Sequence, residues 1–121
     1  MARILIIDDD ELVNGMLVQL LSNEGYEVES TIDGNCGLKL WETRQFDLVV
    51  TDILMPEKEG FEIIIEIRKK NKTVPIIAIS GGGKIGPEEY LELAKTFGAN
   101  HVFLKPFDTR SFCLAIKKCL S

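Results

Sequence analysis

The sequence predicts an α/β fold: one doubly wound domain over residues 1–121, a parallel five-stranded sheet with helices on both faces. Three observations predict it. Five short apolar, β-branched runs are spaced along the chain; amphipathic stretches lie between them; and no linker, repeat or low-complexity segment interrupts the alternation. Successive strand-then-helix units imply parallel pairing, because parallel strands need crossovers and crossovers are right-handed.

The elements follow in order. The first run, residues 4–7, is stopped by Asp8, Asp9 and Asp10. Asp10 is placed to cap a helix in which Leu12, Val13, Met16, Leu17, Leu20 and Leu21 recur at helical spacing, and Gly25 follows its end. Residues 28–31 read as the second strand and 37–42 as the second helix. The third strand, 48–51, runs into Asp52, and Met55 with Pro56 shapes the turn that leads to a helix over 60–70. The basic group Arg68, Lys69, Lys70 and Lys72 is the solvated end of that helix. The fourth strand, 76–80, ends on Ser80. Pro87 with Glu88 and Glu89 opens a fourth helix that Gly98 closes. His101, read as structural or exposed, begins the last strand at 102–104, and Lys105 follows it. Asp108 caps a fifth helix whose Phe112, Ala115, Ile116 and Cys119 share a face.

A chain of 121 residues supports one domain with one sizeable core, so one site is sought. With 45% hydrophobic and 27% charged residues, the composition is that of a soluble globular protein. The apolar start, Ala2 to Ile7, is too short for a signal-peptide core, so a cytoplasmic location is expected. Cys36, Cys113 and Cys119 are odd in number and share no CxxC spacing, which argues against a disulfide framework or a zinc site and suits a reducing compartment. The net charge of -5 comes without a clustered basic stripe, so neither direct nucleic-acid binding nor a membrane partner is expected.

In open α/β sheets ligands collect at the carboxyl ends of the strands. The residues there are Asp8 with Asp9, then Asp52, Ser80 and Lys105; the second strand adds nothing comparable after Thr31. Each pair of carboxylates held at about 4 Å costs roughly 1–4 kcal/mol between bulk-water and near-surface screening, so the three acids call for a cation. All-oxygen ligation suits Mg²⁺ or Mn²⁺ better than zinc. Such a cation, a lysine ammonium and a serine hydroxyl together match the equatorial oxygens of a transferring phosphoryl group, with a carboxylate as nucleophile. The pattern leaves open which aspartate accepts. Singly, Asp10 is a helix cap, Ser80 a turn residue and Lys105 a solvated charge; their joint placement after four strands points to a site. The glycines Gly81, Gly82, Gly83 and Gly86 carry no GxxxxGK pattern and read as a mobile connection rather than a phosphate cradle.

Across nearly its whole length the chain resembles the receiver domain of bacterial response regulators. The resemblance rests on ILIIDDDE at 4–11, LVVTDILMPEKEG at 48–60, PIIAIS at 75–80 and GANHVFLKPF at 98–107, in that order and spacing. It implies a flavodoxin-like sheet in the order 2-1-3-4-5, for which chemotaxis receivers are a known example. It implies Asp52 as phosphoacceptor, Asp8 and Asp9 as the acidic metal pair for Mg²⁺, and the backbone carbonyl of Leu54 as a further metal contact. Ser80 becomes the switch hydroxyl, Lys105 the phosphate-binding lysine, and the Lys105–Pro106 bond cis. A phosphohistidine on a sensor histidine kinase or a histidine phosphotransfer domain is the implied donor. The face made by the fourth helix, fifth strand and fifth helix is the implied contact for a downstream protein. The resemblance describes a signalling phosphoacceptor rather than an enzyme. With the chain ending one helix after Lys105, the expectation is a single-domain regulator, with a receiver cut from a longer polypeptide as the alternative. One departure concerns Val102, which stands where similar domains commonly carry an aromatic that moves with the switch hydroxyl; Phe103 should point to the opposite face.

Two rivals remain at this point. The stretch from Asp8 to Val13 is also similar to the DxDx[TV][LV] signature of haloacid-dehalogenase-type phosphatases, with Asp8 as nucleophile, but that reading leaves Asp52, Met55-Pro56 and Lys105-Pro106-Phe107 unexplained. A pseudo-receiver, a binding module without phosphorylation, is the other, and no feature of the sequence favours it.

Overall fold

The computed structural model describes residues 2–53, 60–80, 92 and 95–121. Five parallel strands, β1 (Arg3–Ile7), β2 (Glu27–Thr31), β3 (Leu48–Asp52), β4 (Ile76–Ser80) and β5 (His101–Leu104), form one sheet in the order β2-β1-β3-β4-β5. Four of them extend one residue beyond the sequence expectation. Helices α1 (Glu11–Asn23), α2 (Gly34–Thr43), α3 (Gly60–Lys70) and a C-terminal helix (Thr109–Leu120) cover it. Helical backbone at 95–97, followed by Gly98 at φ +119°, is the end of the helix expected to open at Pro87, whose start lies outside the described residues. The left-handed φ at Gly98 is open to glycine without the Cβ penalty other residues meet there.

The three central strands β1, β3 and β4 are apolar at successive positions because both their faces are buried, whereas the edge strands β2 and β5 are only partly covered. Ile4, Ile6, Leu48, Val50, Ile77 and Ile79 meet Leu17 and Leu21 of α1 and Phe112 and Ile116 of the C-terminal helix. Leu5, Ile7, Val49, Ile76 and Ala78 meet Ile63, Ile64 and Ile67 of α3, with Leu38 and Trp41 of α2 packed alongside. Each fully buried side chain of this size stabilises the fold by about 1.5–3 kcal/mol. Alternation holds in β5: Val102 joins the α2–α3 side, whereas Phe103 joins the other, 5.3 Å from Phe112 between ring centroids.

The inward stripe of α1 is narrower than its apolar spacing suggests. Asn14, Leu17 and Leu21 are buried, while Leu12 and Met16 are 86% and 41% exposed on the opposite side. Asp10 and Asp108 cap as expected, and Asp33 caps α2 through bonds from the amides of Asn35 (2.7 Å) and Cys36 (3.3 Å), which is why that helix starts at Gly34. Gly37 lets α2 close on β1, since a Cβ there would lie 2.5 Å from Cδ1 of Ile7. At the far end of the sheet Arg68 binds the carbonyls of Gly98, Val74 and Asn71 and the amide oxygen of Asn100, so the first residue of the basic run expected to be solvated is instead a tether from α3 to the segments that lead into β4 and β5. No described helix is long and apolar enough to cross a membrane. The three cysteines are free thiols.

Candidate functional site

The β-ladder continues one step past the strand ends, and that step positions the site. The amide of Asp8 donates to the Thr31 carbonyl at 3.1 Å, the amide of Ile53 to Ile79 at 3.0 Å, and the amide of Lys105 to Ser80 at 2.7 Å. Asp8, Asp52, Ser80 and Lys105 are thereby held on adjacent strands at one rim.

One carboxylate oxygen from each of Asp8, Asp9 and Asp52 lies within 4.8 Å of the others. Asp8 and Asp52 are buried, and Asp9 is more open than either. The Lys105 ammonium stands between the two buried acids, 3.1 Å from Oδ2 of Asp52 and 3.2 and 3.0 Å from Oδ1 and Oδ2 of Asp8. Its contact with Asp8 Oδ2 has ion-pair distance without hydrogen-bond alignment. Burial, the largest single influence on Lys105, works against its charge, but the hydrogen bonds and Coulomb attraction of Asp8 and Asp52 outweigh it and hold the ammonium above the usual lysine range. Asp8 Oδ1 also accepts from the amide of Asp10 at 2.9 Å, turning the carboxylate toward the rim. Ser80 is fully buried, and its Oγ has no hydrogen-bond partner among the described residues. A hydroxyl left so usually signals a ligand or a second state, since an unsatisfied buried polar atom is costly.

Three carboxylates against one ammonium leave the rim two charges negative. Oxygen donors at this spacing fit a hard divalent cation such as Mg²⁺, which keeps several waters and takes one or two carboxylates. The structure therefore brings together Asp8, Asp9, Asp52 and Lys105, with Ser80 on the adjoining strand end. Leu54, expected to add a backbone carbonyl, lies outside the described residues, as do Met55, Pro56 and the glycine run at 81–83. The Lys105–Pro106 peptide is cis, as the resemblance implied.

A family model for the response regulator receiver domain matches residues 4–117. The chain belongs to that family. It is 36% identical over 118 residues to the transcriptional regulatory protein RprY of Bacteroides fragilis, covering 98% of this chain and 49% of that protein. It is 34% identical over 111 residues to the chemotaxis protein CheY of Treponema pallidum, covering 89% and 75%. Among solved structures, the response regulator TrrA of Thermotoga maritima in complex with Mg²⁺ and BeF superposes with a TM-score of 0.88 at 32% identity, covering 99% of this chain and 100% of that one. The chain spans about half the length of most curated relatives it matches. As a receiver domain it is a signalling module of two-component systems, a family in which phosphorylation and Mg²⁺ binding are typical. The phosphatase reading of Asp8 to Val13 falls away with this membership.

Sequence reasoning missed one residue that touches the site's backbone. Asn14 is buried in α1, and its Nδ2 donates to the carbonyls of Asp8 (3.1 Å) and Thr31 (3.0 Å). The signal was available: a polar residue stands in the stripe continued by Leu17 and Leu21.

Proposed function

We propose that this receiver domain accepts a phosphoryl group on Asp52 from a phosphohistidine of a sensor histidine kinase or histidine phosphotransfer domain. The observation that carries the reading is the convergence of the three carboxylates and the Lys105 ammonium at the ends of β1, β3 and β5. An oxygen of Asp52 attacks phosphorus as the bond from phosphorus to the donor imidazole breaks, and the imidazole leaves neutral after taking up a proton. Lys105, already paired to Asp52, follows the charge onto a phosphoryl oxygen, and the Ser80 hydroxyl donates to another. Asp8 and Asp9, with the Leu54 carbonyl, hold Mg²⁺, or Mn²⁺ in its place, alongside Asp52. The cation supplies neutralisation of the transferring phosphoryl oxygens. The domain acts as a phosphoacceptor rather than a turnover enzyme, and its setting is cytoplasmic.

Its output is a protein contact on the face that includes β5 and the C-terminal helix. That reading is supported by a depression of about 590 Å³ lined by residues that include His101, Phe103, Ala115, Lys117 and the 56% exposed Leu114. Direct contact with nucleic acid is not part of this reading, although relatives named as transcriptional regulators carry about as much chain again as the matched part.

Intact-mass spectrometry of wild type and Asp52→Asn after incubation with acetyl phosphate, with and without Mg²⁺, tests the proposal. A single Mg²⁺-dependent phosphoryl adduct absent from the variant is expected. An equal adduct on both proteins would place the acceptor elsewhere.

A further inference from the structure

Asn14 occupies a position where the helix pattern calls for an apolar side chain. It lies three residues before Leu17 and seven before Leu21, all three on the buried stripe of α1, and it is only 7% exposed. An aliphatic side chain there would bury without the desolvation cost of a primary amide. Both bonds recorded for its Nδ2 go to backbone carbonyls at the rim, Asp8 and Thr31. The Thr31 carbonyl also receives the Asp8 amide at 3.1 Å, so the amide and the carbonyl of Asp8 are both fixed, one by β2 and one by Asn14. The segment is closed again further on, where the Asn14 amide donates to the Asp10 carbonyl at 2.8 Å and the Asp10 amide to Asp8 Oδ1 at 2.9 Å. A single side chain thus cross-braces the ends of β1 and β2 at the residue that presents Asp8, immediately before Asp9, while the bond to Asp10 comes from the Asn14 backbone.

We propose that Asn14 is a positioning residue for the divalent cation: it sets the backbone of Asp8 so that the Asp8 and Asp9 carboxylates reach the same ion as Asp52. The inference rests on the reading of Asp8 and Asp9 as cation ligands. The amide acts through Asp8 and touches neither cation nor phosphoryl group. Acceptor chemistry decides its identity: two carbonyl oxygens require a donor with two hydrogens on one nitrogen. Leucine supplies none, aspartate would set a carboxylate against both carbonyls, and the amide nitrogen of asparagine satisfies both at this reach. Groups that orient metal ligands, when removed, typically cost 10–100-fold in metal affinity.

The test is calorimetric titration of Mg²⁺ into wild type, Asn14→Leu and Asn14→Ala, each well below its own melting temperature, alongside thermal unfolding of each protein in chelator. Both variants should bind Mg²⁺ about 10-fold more weakly than wild type while remaining folded. A lower melting temperature with an unchanged Mg²⁺ affinity would assign Asn14 to stability alone and overturn the proposal. Failure of both variants to fold would do the same. Absence of Mg²⁺ binding by wild type itself would instead sink the reading of Asp8 and Asp9, which separates that failure from a failure confined to Asn14.

Discussion

Replacing Asp52 by asparagine should make the metal-free domain more stable. At an effective dielectric of about 20, carboxylate oxygens within 4.8 Å of one another repel by at least about 3.5 kcal/mol per pair. Asp52 faces two such partners; the Asp9 term is roughly halved because that side chain is open to solvent and ions. On the same scale the Lys105 ammonium at 3.1 Å returns about 5 kcal/mol, so the Coulomb terms nearly cancel. What remains is the desolvation of a carboxylate whose side chain is only 5% exposed, a penalty of several kcal/mol for an ion and far less for an amide. Since the amide oxygen still accepts from Lys105, the net gain is roughly 1–2 kcal/mol, or about 3–8 °C in melting temperature for a domain of this size. The assay is thermal unfolding followed by circular dichroism at low ionic strength, first in chelator and then in saturating Mg²⁺. Wild type at a hundred times its Kd gains about 2.7 kcal/mol from the cation, and the variant, one ligand poorer, gains less, so the gap should narrow or invert. A metal-free Asp52→Asn that melts below wild type would refute the claim that desolvation of the Asp52 carboxylate costs the metal-free fold more than its contacts return.

Three further outcomes follow from the same geometry. The raised pKa of Lys105 means that its stabilising contribution is fully present below its unfolded value of about 10.4 and is lost as pH rises through the higher folded value; wild type should therefore lose more urea resistance than Lys105→Met from about pH 10 upward, and parallel pH profiles would contradict this. Ser80→Ala should leave the melting temperature within about 2 °C, because the Oγ it removes has no partner among the described residues, while weakening beryllofluoride binding several-fold in Mg²⁺; a large drop in melting temperature would show that the hydroxyl supports the fold. Gly37→Ala should cost about 1–3 kcal/mol in denaturant unfolding through its clash with Ile7, and adding Ile7→Val should recover part of it; additive losses would remove the clash as the cause.

The sheet was legible because its strands are short, the central three are apolar on both faces, and polar or charged residues end most of the runs, so that each boundary fell within a residue of its place. The rim was legible for a related reason: Asp8 with Asp9, Asp52 and Lys105 are the first charged residues after apolar runs, and Ser80 closes one. Helix edges were harder. Asp33 was not picked out as a cap because the short polar residues around it offered no contrast, and α2 was therefore read three residues short at its start. Leu12 and Met16 misled because helical spacing says which residues share a face, not which face is inward; that was decided by Leu17 and Leu21 meeting β1 and β3. Arg68 looked like a solvated charge because the carbonyls it binds are separated from it by up to thirty residues of sequence. Asn14 showed only as a polar break in the stripe of Leu17 and Leu21; its partners are backbone atoms, which the sequence does not identify.

Arg68, expected to be solvated, and Asn14, not singled out at all, share a physical role. Arg68 binds carbonyls near the amino ends of β4 and β5, and Asn14 binds carbonyls at the carboxyl ends of β1 and β2. A parallel sheet leaves carbonyl lone pairs unfilled where its ladder stops, and at the carboxyl ends they stand beside the charges that carry the chemistry. Repelling carboxylates there tend to spread the strand ends, and the cation that would relieve the repulsion can do so only if the ligands are still within its reach. Side-chain donors that pin the backbone resolve this conflict without adding charge to the rim. For that reason the amide at position 14 and the carboxylates at 8 and 9 form one unit, though only the carboxylates announce themselves in the sequence.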